Sequence, residues 1–212
     1  MAGFNLRIFI SLAAPLAMTL FVCRGRARRF ALFLLIGMTV TLLAGYWNGF
    51  INGVSGYPSR YFSSVIGPFS EELFKLLPLL VYTFAVKPKR ETLLECAVAV
   101  GVGFAILENT SYMLRLTTEY SASLALIRGF GTGIMHGLCT LSEGIGLSFV
   151  RTRRKLFYTG TAGLFLTAVT YHSLFNQLVL SAYELVGYFL PVITLIPVLL
   201  VLNRKNKQKA RA

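Results

Sequence analysis

Two adjacent carboxylates, Glu71 and Glu72, lie inside an apolar stretch that runs from residue 65 to residue 86. The stretch is long enough to cross a bilayer, and a charged residue at the centre of a membrane helix costs about 2.5–3.5 kcal/mol on an insertion scale. Lys75 follows Glu71 by four residues, so we expect the two side chains on one helix face, where the ammonium would keep Glu71 ionised. So costly an arrangement indicates a functional site.

Other polar side chains interrupt the apolar segments that follow. They include Glu108 and both histidines of the chain, His136 and His172, the second of which shares a helix face with Asn176 four residues later. With a helix rise of about 1.5 Å per residue, Glu71, Glu108 and the histidines each lie about 22–27 Å from the basic end of their own segment. We therefore predict that four helices bring these groups to one layer, in the outer half of the membrane.

The residue types in this layer suit the hydrolysis of an amide bond. A buried carboxylate beside a cation can act as a general base on water, and we assign this role to Glu71, with Glu72 in support. Histidine and asparagine side chains can donate hydrogen bonds to a tetrahedral oxyanion, a role that fits His172 and Asn176. The sequence has no Gly-x-Ser-x-Gly and no His-Glu-x-x-His motif, which argues against a serine mechanism and a zincin mechanism.

A metal ion is an alternative source of catalytic power. Two histidines and one glutamate suffice to hold a catalytic zinc ion with an open coordination position. Glu108, His136 and His172 would form this set, with zinc as the cofactor. The residues alone leave the choice between a metal and a metal-free glutamate mechanism open.

Two other classes of protein use buried polar residues of the same kinds. A proton-coupled transporter carries buried Glu, His and Lys, but transporters usually also have internal repeats and paired broken helices, which this sequence lacks. In a non-catalytic membrane scaffold the same groups would only hydrogen-bond one helix to another. Both stay open as alternatives to an enzyme.

The segments that carry these residues belong to a strongly apolar chain. Of its 212 residues 55% are hydrophobic, and the formal net charge is +13. The basic residues lie in short clusters between apolar segments, a pattern that is typical of membrane proteins and excludes nucleic acid as the partner in favour of the lipid bilayer. We predict an all-α, polytopic helical membrane protein, with about seven transmembrane helices at 5–23, 30–52, 62–86, 92–114, 122–150, 156–181 and 184–202.

The charge of the connecting loops predicts the orientation. Basic clusters follow every second segment, at residues 24–29, 87–90, 151–155 and 204–211. The positive-inside rule then puts the N-terminus outside and the C-terminus in the cytoplasm. We predict a single transmembrane domain over residues 1–202 and a basic cytoplasmic tail over residues 203–212.

Three further charged residues in or beside the spans need an interpretation. Glu143 lies closer to the cytoplasmic end than the polar layer, and we interpret it as a structural residue and a candidate partner of Lys75. Arg115 and Arg128 lie near the outer ends of their segments, and we expect their side chains to extend to the membrane interface.

Four of these patterns resemble motifs of the PrsW family of intramembrane proteases. The run EELFK at 71–75 resembles that family's EExxK motif, and GFAILEN at 103–109 resembles its GFAxxEN motif. MHG at 135–137 and HSLFN at 172–176 resemble its two later histidine motifs. Each motif alone is a weak signal, but the order and spacing agree across residues 65–180.

The resemblance implies a protease of the bacterial cytoplasmic membrane, with membrane-anchored proteins as substrates. Cleavage would fall near the outer face, as in the site-1 cleavage of anti-sigma factors. The wider superfamily, which includes the CAAX-prenyl endopeptidases, favours a glutamic protease in which Glu71 activates water directly. Glu108 stands where the CAAX enzymes have histidine, which argues for the PrsW branch and against prenylated substrates.

Overall fold

The computed structural model describes residues 2–115, 121–151 and 154–209. All regular structure within these ranges is helical, which confirms the predicted all-α class. Seven long helices in the described ranges coincide with the seven predicted segments: α1 (Ala2–Val22), α2 (Gly25–Ser55), α3 (Gly67–Ala85), α4 (Arg90–Met113), α5 (Ala122–Leu147), α6 (Arg154–Val179) and α7 (Glu184–Lys209).

Three stretches of helix among the described residues are long and apolar enough to cross a membrane on their own. They are Gly25–Ser55, Ala122–Leu147 and, within α7, Glu184–Val201. Helix α3 is not among them, and it carries the two glutamates and the lysine of the polar layer. The number of membrane crossings and the side on which each terminus lies stay predictions.

Helix α4 lies at the centre of the bundle, where α2 packs against one side and α5 against the other. Its glycines permit this close approach. A Cβ atom at Gly103 would collide with the backbone carbonyl oxygen of Leu34 on α2, and one at Gly101 would collide with that of His136 on α5. The backbone of α4 therefore sets how closely its two neighbours bring their polar side chains together.

The chain enters α3 through a short irregular helical segment. Ser59–Tyr61 forms one helical turn and Phe62–Ile66 a π-helical turn that continues directly into α3. Pro68 lies at the start of α3, where its missing N–H removes one bond from the helical ladder. The π-helical turn ends at Ile66, one helical turn before Glu71, and such turns occur frequently at functional sites.

The close contact of α4 with α5 leads to a prediction. Gly101→Ala should destabilise the protein by about 1–3 kcal/mol, the usual cost of overpacking a tight core, because the new methyl group meets backbone rather than a flexible side chain. Thermal unfolding of the purified protein measures this loss.

Gly163→Ala on α6 is the matched control, since nothing lies within 4 Å of a Cβ atom built there. This variant should be neutral or more stable by about 0.5–1 kcal/mol because alanine is the better helix former. Equal stability of the two variants would contradict the packing described for α4.

Candidate active site

A fully buried ion pair lies at the centre of the polar layer. The Nζ atom of Lys75 lies 2.6 Å from Oε1 of Glu72, and both side chains are 0% exposed. The sequence-based pairing of Lys75 with Glu71 is therefore wrong. Adjacent residues on a helix point about 100° apart, and here Glu72 faces the bundle interior with Lys75, whereas Glu71 faces a cavity.

His136 is the second partner of Lys75. The Nζ atom lies 2.9 Å from Nδ1 of His136, and Nε2 of the same ring lies 2.6 Å from Oε2 of Glu108. Because an ammonium group can only donate, Nδ1 accepts and the ring proton is on Nε2, which donates to the Glu108 carboxylate. These contacts connect α3, α5 and α4.

His172 completes the buried group from α6. Its Nδ1 atom lies 2.6 Å from Oε1 of Glu72, so the ring donates from Nδ1 to this carboxylate. The lone pair of Nε2 then faces Oε2 of Glu71 at 3.6 Å. Among the described residues neither of these two atoms has a hydrogen-bond partner. Two acceptors at this separation suit a water molecule that donates to both.

Glu71 is held in place from α2. Its Oε1 atom accepts a hydrogen bond from Nδ2 of Asn48 at 3.1 Å, and the hydroxyl of Ser70 donates to Oδ1 of Asn48. Sequence reasoning missed Asn48, although an asparagine inside an apolar span was a usable signal.

Glu71 and Glu108 open onto a cavity of about 660 Å³. The cavity lies between α2, the turns before α3 and the C-terminal half of α4, at the end of the bundle opposite the basic clusters. Its polar lining includes Thr41, Asn48, Asn52, Ser63, Glu71 and Glu108. Solvent and a polypeptide can therefore approach Glu71 from this end, whereas Glu72 lies behind it in the protein interior.

The structure gives Asn176 a contact that the sequence did not predict. Its Nδ2 atom donates to the backbone carbonyl of Ser63 in the π-helical turn, at 3.0 Å. The role of Asn176 at an oxyanion stays a prediction. His172 donates its Nδ1–H to Glu72, so its ring has no N–H left for an oxyanion unless Nε2 gains a proton.

Two of the other charged residues also differ from expectation. Glu143 is fully buried, but among the described residues neither of its carboxylate oxygens has a hydrogen-bond partner, so the proposed contact with Lys75 is not formed. Arg128 does not extend to the interface. It is only 6% exposed, donates to the hydroxyl of Tyr188 at 3.1 Å and stacks on the ring of Tyr112 at 3.6 Å. The two tyrosines hold the guanidinium inside the bundle, and among the described residues its Nε atom has no hydrogen-bond partner.

One group of side chains could hold a metal ion. Glu72, His136 and His172 each offer a ligand atom, and these atoms lie within 4.8 Å of one another. This set differs from the predicted one: Glu72, which accepts from His172, takes the place of Glu108, which accepts from His136 on the cavity side. The donor set fits a divalent cation, although the ammonium of Lys75 already contacts two of its members.

Comparison with known proteins identifies one family. A sequence model of the family described as "PrsW family intramembrane metalloprotease" matches residues 25–202, most of the chain and all of the polar layer. Searches of curated proteins and of solved structures each found no significant match. With its apolar helices and its match to this family, the chain is an integral membrane protein that belongs to the PrsW family of intramembrane proteases.

Proposed function

We propose that this protein is an endopeptidase that cuts membrane-anchored proteins near their extracytoplasmic boundary, with water activated by Glu71. The observation that carries the proposal is a pair of buried acceptor atoms, Glu71 Oε2 and His172 Nε2, which lie 3.6 Å apart behind the cavity that Glu71 lines. A water molecule bound to both would have its oxygen directed toward a peptide carbonyl in the cavity. Anti-sigma factors are one class of substrate that suits such a cut.

The reaction then follows general acid–base chemistry. Glu71 takes a proton from the water as the oxygen attacks the carbonyl carbon, and His172 accepts the second hydrogen bond. The tetrahedral intermediate carries an oxyanion, for which the amide of Asn176 is the proposed donor. Glu71 returns its proton to the leaving nitrogen as the C–N bond breaks, so the enzyme regains its starting state.

The buried ion pair supports this chemistry through position and charge. Glu72 accepts from both Lys75 and His172, which holds the His172 ring with Nε2 toward Glu71. Lys75 balances the charge of Glu72, so that the site does not hold two unpaired carboxylates side by side. His136 and Glu108 keep Lys75 in place from the opposite side.

The location of the cavity supports cleavage on the outer side. It lies at the end of the bundle away from the basic clusters, which the positive-inside rule puts in the cytoplasm. A substrate helix keeps its carbonyls hydrogen-bonded within hydrocarbon, so its frayed end is the easier place to cut. We propose a bacterial cytoplasmic membrane, a transmembrane domain over residues 1–202 and a cytoplasmic tail over 203–212.

A metal-dependent version of the same activity is the second candidate, favoured by the group of Glu72, His136 and His172. When bound there, a zinc ion would lower the pKa of a water ligand and polarise a carbonyl. In the metal-free version the positive charge at this place is the ammonium of Lys75, which has contacts with two of the three residues.

Exchanging each of the two adjacent glutamates tests their different roles. Glu71→Gln should lower kcat by at least about 100-fold, the usual scale for loss of a general base, and leave the protein folded. Glu72→Gln should instead lower the thermal stability strongly, because Lys75 would keep a buried charge without its partner, at a cost of about 3–5 kcal/mol.

The measurements are the cleavage rate of a tagged substrate and thermal unfolding in detergent for both variants. A folded but inactive Glu71→Gln protein distinguishes a protease from a scaffold. Near wild-type cleavage by Glu71→Gln would show that Glu71 is not the base.

Metal content distinguishes the two mechanisms. In the metal-free mechanism, purified active protein should hold far less than one metal ion per chain, and treatment with a chelator should leave kcat unchanged. Elemental analysis of wild-type protein and of His172→Ala gives the answer independently of activity. A stoichiometric ion in the wild type that is lost in His172→Ala would establish the metal-dependent mechanism instead.

Asn48 is predicted to position Glu71. Asn48→Ala should lower kcat by roughly 10–100-fold with little change in KM, since a hydrogen bond to a charged group contributes about 1.5–3 kcal/mol. Asn52→Ala is the control, because Asn52 lines the same cavity but donates to Ser59 rather than to Glu71. Equal kinetic effects of both variants would remove the positioning role of Asn48.

A further inference from the structure

A second cavity of about 680 Å³ adjoins the first. Ser59, Ser63 and Tyr112 line both, so the two form one continuous depression that leads away from Glu71. The remaining walls of the second cavity come from the end of α6 and the start of α7, including Ser181 and Glu184. It therefore lies at the outermost end of the bundle, beyond the polar layer.

The lining of the second cavity is polar for a membrane protein. Six of its eight lining residues carry a hydroxyl group or a charge, namely Ser59, Arg60, Ser63, Tyr112, Ser181 and Glu184. The other two are Val179 and Leu180. A site for an acyl chain would be apolar, whereas an extended peptide needs donors and acceptors for its own N–H and C=O groups.

The residues at the junction of the two cavities are held in a defined position. Arg60 donates to the backbone carbonyl of Leu180, and Asn176 donates to that of Ser63. Both bonds join the turns before α3 to α6, so they keep Ser59 and Ser63 at the junction of the cavities. Arg60 uses one of its five N–H donors in this contact.

We propose that the second cavity is a substrate subsite that binds a polar, extended peptide segment, the part of the substrate that continues outward from the scissile bond. This inference rests on the proposed protease function, because it takes Glu71 as the place of cleavage. The hydroxyls of Ser59 and Tyr112 donate to the peptide backbone, and that of Ser63, which already donates to the carbonyl of Arg60, accepts from it. The opposite charges of Arg60 and Glu184 bind charged side chains of the segment. Substrates are therefore proteins whose membrane span is followed on the outer side by polar, extended chain.

Binding of synthetic peptides to the full-length Glu71→Gln protein tests the subsite without requiring turnover. The probes are single-span peptides with a Leu/Ala-rich helix of about 20 residues, a length that spans a bilayer. One set ends at the helix and the other continues into a randomised polar segment; both are presented in phosphatidylcholine vesicles. The best members of the longer set should bind at least tenfold more tightly than the short peptide.

Filling the subsite should remove this preference. Ser181→Trp, introduced into the Glu71→Gln protein, should reduce the advantage of the longer peptides to less than twofold. Ser123→Trp is the matched control at the exposed start of α5, outside both cavities, and should keep the full advantage.

Equal binding of long and short peptides, or an equal loss in both tryptophan variants, would overturn the subsite. Loss of the preference when anionic lipid is added to the vesicles would also overturn it and assign the cavity to a lipid headgroup. Cleavage by the wild-type protein is measured separately. Preferential binding without cleavage would keep the subsite and refute the protease mechanism.

Discussion

The ion pair between Glu72 and Lys75 is the constraint on which the rest of the site depends. Two charges removed from water in a bilayer-spanning bundle are tolerated only if each is paired and hydrogen-bonded. Here Glu72 accepts from Lys75 and His172, and Lys75 donates to Glu72 and His136. Because these partners come from α3, α5 and α6, the requirement to satisfy one ion pair fixes the relative positions of three helices.

This arrangement separates two adjacent glutamates into different environments. Glu72 is enclosed and its Oε1 atom accepts from both Lys75 and His172, while its Oε2 atom has no hydrogen-bond partner among the described residues. Glu71 lines the cavity and keeps one oxygen toward His172. Two adjacent positions therefore supply a structural carboxylate, Glu72, and a carboxylate that is available for chemistry, Glu71. A buried network that is charge-paired at its centre and open at one edge is what a preorganised catalytic group requires.

Much of the site could be predicted from the sequence, because the sequence shows both the energetically costly polar residues in apolar spans and their spacing along the chain. Charged residues inside apolar spans stand out, and the helix rise predicts that Glu71, Glu108, His136 and His172 share a layer. In the structure Glu108, His136 and His172 are connected through the buried pair of Lys75 and Glu72, and Glu71 faces His172 at 3.6 Å. The helical segments could be predicted from hydropathy, since an apolar segment in a membrane must form its backbone hydrogen bonds internally, as a helix does.

The partners within the layer could not be derived in the same way. Lys75 follows Glu71 by four residues and Glu72 by three, and both spacings permit a contact on a helix. Which of the two glutamates pairs with Lys75 depends on which face of α3 meets α5. The position of Asn48 depends on the packing of α2, and the cavities depend on the turns before α3. These are tertiary features, and a single sequence carries no direct signal of them.

The central claim is that Glu71 drives cleavage of membrane-anchored proteins from the outer side. The most direct measurement maps the new termini in membrane peptides, by mass spectrometry, from cells with the wild-type protein and from cells with Glu71→Gln. The account predicts termini at the extracytoplasmic end of substrate spans that appear only with the wild type. Identical termini in both, or termini at the cytoplasmic end of the spans, would contradict it.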